Sequence, residues 1–218
     1  MERMVEIKNI SKRFGNREIF KNFSVDIGAG EFVSIIGPSG CGKSTLLNMI
    51  GLLESVDSGS ILIGGKKLPG LNGRKATSLR RNTINYLFQS YALINDLTVM
   101  QNVQLAMNFM NVSQKEKLKR AESVLERLEI GQLANEKVSV LSGGEQQRVS
   151  IARTVLKPGD LILADEPTGA LDENTANQVF SLIKNLSTEY NKTIIMVTHN
   201  PLLAQRTDRV IALTGNVE

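Results

Sequence analysis

The 218-residue sequence predicts one α/β domain spanning 1–218, with a mostly parallel sheet, an N-terminal antiparallel β subdomain and an inserted α-helical subdomain. Three observations predict it. Short runs near the start alternate apolar and polar residues, three later runs are almost continuously apolar, and between about residues 90 and 155 the apolar period becomes helical. With 41% apolar and 22% charged residues the composition is that of an ordinary folded chain, which excludes a disordered tail or a fibrous repeat.

Val5-Glu6-Ile7 and Phe23-Ser24-Val25-Asp26-Ile27 alternate as half-exposed antiparallel strands do. Phe32-Val33-Ser34-Ile35-Ile36 is a nearly unbroken apolar run, the pattern of a parallel strand covered on both faces. Leu161-Ile162-Leu163-Ala164 and Thr193-Ile194-Ile195-Met196-Val197 repeat it. Each run ends in glycine or polar residues, and the C-terminal edge of an open parallel sheet is where ligands bind. Thr98 to Met110 carries Val99, Val103, Met107 and Met110 at helical spacing. Ser113-x-x-Glu116 has the form of a capping box, opening a helix that Gly131 is predicted to close.

The net charge of +4 is small, and the densest basic run, Lys115 to Arg120, contains Glu116. This is a solvated helix face, and no nucleic-acid partner is expected. The single cysteine, Cys41, rules out an intramolecular disulfide framework and suits the reducing cytosol. No apolar stretch approaches the roughly 18 residues of a membrane span, and the first residues lack a basic segment followed by an apolar core. The expectation is a cytoplasmic chain whose membrane spans, where it works with any, belong to another polypeptide.

Gly37-Pro38-Ser39-Gly40-Cys41-Gly42-Lys43-Ser44 fits G-x-x-x-x-G-K-[ST] after a buried strand and is followed by Thr45, the pattern of a P-loop NTPase core. Glycines let backbone N–H groups surround phosphate oxygens without a Cβ in the way, and the following helix turns its positive end to the same anion. Lys43 is placed to contact the β- and γ-phosphates and Ser44 to ligate Mg²⁺. Cys41 lies beside a helix N-terminus and a cation, which favours a reactive thiolate. Asp165-Glu166 delivers two adjacent carboxylates to the sheet edge, where alternation turns them apart. Asp165 is assigned to Mg²⁺ through water and Glu166 to the attacking water as general base.

Leu141-Ser142-Gly143-Gly144-Glu145-Gln146-Gln147-Arg148 precedes a long predicted helix. Two readings stand: Ser142 as an N-cap, or a second anion-binding helix terminus. The string resembles the signature of ATP-binding cassette ATPases, and other motifs follow in that family's order. Gln89, after Tyr86-Leu87-Phe88, resembles the Q-loop glutamine; Ala170-Leu171-Asp172 resembles the D-loop; His199 resembles the switch histidine; Phe14 falls where the family stacks an aromatic ring on adenine.

The resemblance implies an ATP hydrolase using ATP and Mg²⁺. Lys43, Gln89, Glu166 and His199 would be catalytic, with Ser44, Gln89 and Asp165 about the metal. Residues 37–45 and Phe14 would hold the nucleotide. Ser142, Gly143, Gly144 and Glu145 would act on the ATP of a second copy docked head to tail. Further implied partners are an integral membrane permease subunit on a separate chain and an extracytoplasmic adaptor, with the cassette peripheral on the inner face of the membrane. Ala164 to Asp172, Leu79-Arg80-Arg81 and Leu97-Thr98-Val99 are similar to cassettes of the lipoprotein-release and macrolide-export group, which often carry an acid where this chain has Gln101. Gly51-Leu52-Leu53-Glu54 and Tyr86 to Gln89 look closer to cassettes proposed to export bacteriocins of the lactococcin 972 type.

Rival machines with related heads fit less well. A chromosome-maintenance ATPase needs a long coiled coil between the two motifs, and the 98 residues from Lys43 to Ser142 hold no sustained heptads. A translation factor of this family carries tandem cassettes, and one is present. A nucleotide-gated regulatory ATPase that controls a membrane partner without transport stays open beside the transport reading.

Overall fold

The computed structural model describes residues 2–214. Strands β1 (Arg3–Phe14) and β2 (Arg17–Gly28) form a hairpin with Val5 opposite Ile27 and Ile7 opposite Val25. The two short alternating runs of the sequence are therefore the pieces of one ribbon that face the core. After β3 (Phe32–Ile36) and α1 (Lys43–Ile50), strands β4 (Ser58–Ile63) and β5 (Lys66–Lys67) complete an antiparallel sheet in the order β2-β1-β4-β5.

Next come α2 (Arg74–Asn82), β6 (Ile84–Phe88), α3 (Val99–Leu105), α4 (Gln114–Arg127) and α5 (Gly143–Leu156). The chain continues through β7 (Leu161–Asp165), α6 (Glu173–Glu189), β8 (Thr193–Val197), α7 (Pro201–Ala204) and β9 (Arg209–Ala212). The second sheet runs β6-β7-β8-β3-β9 and every pairing in it is parallel. All three continuous apolar runs lie inside it, because strands covered on both faces have no polar side to show.

Side chains along those strands divide between two hydrophobic clusters. Val33, Ile35, Leu161, Leu163, Ile195 and Val197 face α1 and the antiparallel sheet. Phe32, Ile162, Ala164, Ile194 and Met196 face α3, α4, α5 and α6, through residues such as Val103, Leu125, Val149 and Phe180. Helices between β6 and β7 thus share a core with one face of the parallel sheet.

Local chemistry sets the helix ends. Thr98 and Gln101 form a reciprocal capping box on α3, with Thr98 N–H donating to Gln101 Oε1 at 2.9 Å. Glutamine does here what an acid at this position would do. Ser113 caps α4 through Glu116 N–H, but the Glu116 carboxylate accepts from Arg120 instead, so half of the expected box is made. Gly131 does not close that helix. Glu129 turns left-handed at φ 58, and Ile130 N–H reaches Leu125 O while Glu129 N–H reaches Glu126 O. That is a Schellman closure with glutamate in the usual glycine place, and Gly131 opens a short 3-10 turn over 131–133.

Candidate nucleotide site

Strand order builds the site. Strands β6, β7, β8 and β3 are neighbours, with Phe88 opposite Asp165, Asp165 opposite Val197, and Val197 opposite Ile35. The residues just past their C-terminal ends are Gln89, Glu166, Thr198-His199 and the 37–42 loop. Motifs far apart in sequence therefore meet at one edge.

In the loop Gly37, Gly40 and Gly42 take φ of 154, 75 and 100 degrees, a range that L side chains rarely adopt. A Cβ on Gly42 would also come within 2.9 Å of the Phe20 ring, so the loop lies too close to β2 for any side chain. Lys43 begins α1, is 6% exposed, and donates from Nζ to Gly37 O and Pro38 O at 2.9 Å each. Its ammonium thus sits over the loop. Ser44 Oγ donates to Asp165 Oδ1 at 3.2 Å, which joins the hydroxyl and carboxylate assigned to the metal. Mg²⁺ bound with a nucleotide takes one or two protein oxygen ligands and fills its octahedron with phosphate and water, and this hard-oxygen pair fits that demand. Gln89 is exposed, with Nε2 beside Gly169 in the turn after Glu166.

Asp165 and Glu166 have different partners, and strand alternation is not the cause, because β7 ends at Asp165 and Glu166 turns left-handed just past it. Glu166 holds φ 47 and donates its N–H to Val197 O at 3.0 Å. Oε2 accepts from the His199 N–H at 3.2 Å. Oε1 lies 3.1 Å from His199 Nε2 yet off the line of a hydrogen bond, and is a buried oxygen without a donor. Burial pushes the Glu166 carboxyl above the usual range, opposed by the His199 backbone hydrogen bond. A left-handed, half-buried carboxylate with one free oxygen is suited to taking a proton.

The Ser142 region keeps its capping role. The Ser142 N–H and O–H both donate to Glu145 Oε2, at 2.8 and 2.7 Å, and Glu145 N–H returns to Ser142 Oγ at 3.4 Å. The Ser142 hydroxyl holds the Glu145 carboxyl below its ordinary range. Gly143 and Gly144 form the first turn of α5, where the nearest neighbours of the two glycines are Tyr91 and Thr175. Asp172 caps α6 by accepting from Thr175 N–H at 3.1 Å. Phe14 ends β1 with its ring 48% exposed and Lys12 Nζ 4.9 Å from the centroid.

Cys41 differs from expectation. It is only 8% exposed and packed into the cluster with Ile19, Phe20 and Leu213, so the sulfur is shielded. Sequence reasoning missed Arg17. This residue pairs with Phe14 across the Gly15-Asn16 turn, and its Nη2 donates to Gly40 O at 2.9 Å. Only the hairpin register could have revealed that tie between the exposed ring and the phosphate loop. Arg17→Ala is expected to weaken Mg-ATP binding about three- to tenfold, the worth of one charge-assisted hydrogen bond, with turnover at saturation kept. Titration with a fluorescent ATP analogue beside steady-state kinetics checks this, and unchanged affinity would count against it.

A family model described as "ABC transporter" matches residues 20–169. The macrolide export ATP-binding/permease protein MacB of Mannheimia succiniciproducens is 44% identical over 214 residues, covering 96% of this chain and 33% of the relative. The chain thus spans about a third of the length of the curated relatives it matches. A solved dimeric bacterial ABC transporter cassette superposes with a TM-score of 0.85 at 41% identity, over 97% of this chain and 95% of that one. A dimeric post-hydrolysis ATP-binding cassette bound to ADP and Pi gives 0.84 at 39% identity, over 98% and 97%. The fold, the ordered motifs and these matches agree: the chain belongs to the ABC transporter family and is its ATP-binding cassette.

Proposed function

We propose that the chain binds Mg-ATP at the 37–45 loop, hydrolyses it, and powers export or mechanical work by a membrane permease partner. One observation carries the reading: Lys43, the Ser44–Asp165 pair and the Glu166–His199 pair converge on one sheet edge. Loop amides and Lys43 hold the phosphates, and Phe14 takes adenine. Ser44 and Gln89, with Asp165 through water, would hold Mg²⁺, which would supply neutralisation of phosphate charge. Glu166 accepts a proton as water oxygen bonds to the γ-phosphorus, while the bond to the β-phosphate oxygen breaks and ADP leaves. Lys43 and His199 stabilise charge on the transferring group.

The nearest neighbours of Gly143 and Gly144 are Tyr91 and Thr175, neither of them in the phosphate loop, and the similar solved cassettes are dimeric. This supports assigning the Ser142 terminus to the ATP of a second copy in a twofold head-to-tail dimer with two equivalent sites. Asp172 would lie at that junction. Contacts to the γ-phosphate exist only in the closed dimer, so hydrolysis loosens it. Residues 90–155, as a helical subdomain, and the Gln89 segment would pass this change to a permease that takes force to an extracytoplasmic adaptor. The cassette would then sit on the inner membrane face. Among the described residues no helix is long and apolar enough to cross a membrane. Lys43→Ala removes the cation and is expected to weaken Mg-ATP binding at least about tenfold. Equilibrium binding checks it, and wild-type affinity in this variant would sink the assignment of the site.

A further inference from the structure

At the end of β1, beside the ring assigned to adenine, a cation is buried. Lys12 is 5% exposed, and its Nζ donates to Glu54 Oε1 at 2.8 Å and to Asp57 Oδ1 at 3.4 Å. The same ammonium lies over the Phe14 ring, 4.9 Å from the centroid and inside the roughly 6 Å reach of a cation–π contact. Burial alone would lower the Lys12 ammonium, but Glu54 and Asp57 outweigh it and hold it above the ordinary lysine range. The charge therefore persists inside the fold.

The hairpin ladder is irregular at this corner. The β1–β2 register shifts between Ile10 and Lys12 and again between Lys12 and Arg13, and the β1–β4 ladder ends with Ser11 opposite Ser58. The turn that carries Glu54 and Asp57 takes over. Asp57 N–H donates to Ser11 O at 3.0 Å, and Asp57 Oδ2 accepts from Arg13 N–H at 2.7 Å. Ser11, Lys12 and Arg13 are each tied to this turn, and Phe14 is the next residue. With a buried ammonium against one face of the ring, the exposed part of Phe14 is its other face and edge.

Aromatic faces are negative, which sets two stacked rings against each other. A cation behind the phenyl ring draws its π density inward, so the open face repels a purine less. Resting on the reading that Phe14 takes adenine, we infer that Lys12 is a positioning residue for the nucleotide base, backing the Phe14 ring with charge and turning its open face to the purine. Glu54 and Asp57 act through Lys12, by holding the ammonium in place.

The test compares Mg-ATP with Mg-tripolyphosphate, which carries the phosphates without a base, by isothermal titration calorimetry on the whole chain. Lys12→Met keeps the apolar stem and removes the charge. It is expected to weaken Mg-ATP binding about three- to tenfold, while tripolyphosphate binds as it does to wild type. Lys12→Gln, which still donates to Glu54, should show the same selective loss and serves where the methionine variant does not fold. Lys12→Arg keeps a cation over the ring and should restore most of the ATP affinity. In a Phe14→Leu background, where no ring remains, Lys12→Met should add nothing further. Equal weakening of both ligands, weakening of neither, no rescue by arginine, or the same loss without the ring overturns the inference and leaves Lys12 a structural ion pair. Phe14→Leu that binds Mg-ATP like wild type overturns the adenine reading beneath it, so the two failures are distinguishable.

Discussion

Glu166→Gln is expected to lower ATP hydrolysis by about 10² to 10⁴ and to collect the chain as an ATP-bound dimer. Glutamine keeps the shape and can still accept the His199 N–H bond now made to Oε2. It lacks the basicity that the donor-free Oε1 contributes. Because hydrolysis is what removes the γ-phosphate contacts, blocking it should hold two copies together at saturating Mg-ATP. Light scattering should then report a doubled mass in the variant and a monomer without nucleotide. A variant that turns over ATP at the wild-type rate would remove Glu166 from the role of base. Burial also fixes a pH signature. Since the Glu166 carboxyl is raised by burial, it protonates at a higher pH than an ordinary glutamate. Hydrolysis should therefore fall on the acid side starting above the usual glutamate range, and this limb should vanish in Glu166→Gln. The ionised form is the one that burial disfavours, so the neutral variant should also unfold at no lower temperature than wild type.

Much of this was legible in the sequence because the parallel strands are covered on both faces. Nearly unbroken apolar runs at 32–36, 161–164 and 193–197 pointed to buried parallel strands, and the glycine or polar residues ending each run marked the binding edge. Other elements were hidden for physical reasons. Strand β6 interrupts its apolar pattern with Asn85, a residue 0% exposed whose amide donates to Lys157 O and Gly159 O. Strand β9 is short, lies at the sheet edge and opens with charged Arg209, so it carries no run to detect. Gly131 misled because glycine is the commonest helix terminator, yet here Glu129 takes the left-handed turn and burial of Ile130 secures it. The metal pair followed from motif chemistry, but Arg17 depended on a hairpin register. Pairing across space leaves no periodic trace in one chain.

Ser142 supplies the sharper test, because its two roles predict different outcomes for the same substitution. As a cap, Ser142 stabilises α5, and losing it should cost about 1 kcal/mol of stability with little effect on chemistry. As a contact to the second copy's ATP, it faces a γ-phosphate in the closed dimer, where a change of charge or size is decisive. Ser142→Asp separates the two. Aspartate is a good N-cap that can accept the Glu145 N–H, so α5 should form once the Glu145 carboxylate, which loses the serine O–H, swings out to solvent. The new carboxylate would oppose the phosphate, and like-charge contact at an interface costs several kcal/mol. Hydrolysis is expected to fall at least about a hundredfold while Mg-ATP binding by the monomer stays as in wild type. Ser142→Arg should abolish hydrolysis too, by bulk, and should also melt earlier because arginine cannot cap. Combining Ser142→Asp with Glu166→Gln should give a chain that binds Mg-ATP and stays monomeric in light scattering. If Ser142→Asp hydrolyses ATP normally, the serine is a cap and nothing more. If either Ser142 variant loses ATP binding as a monomer, this helix terminus serves its own chain's nucleotide and the head-to-tail arrangement is wrong.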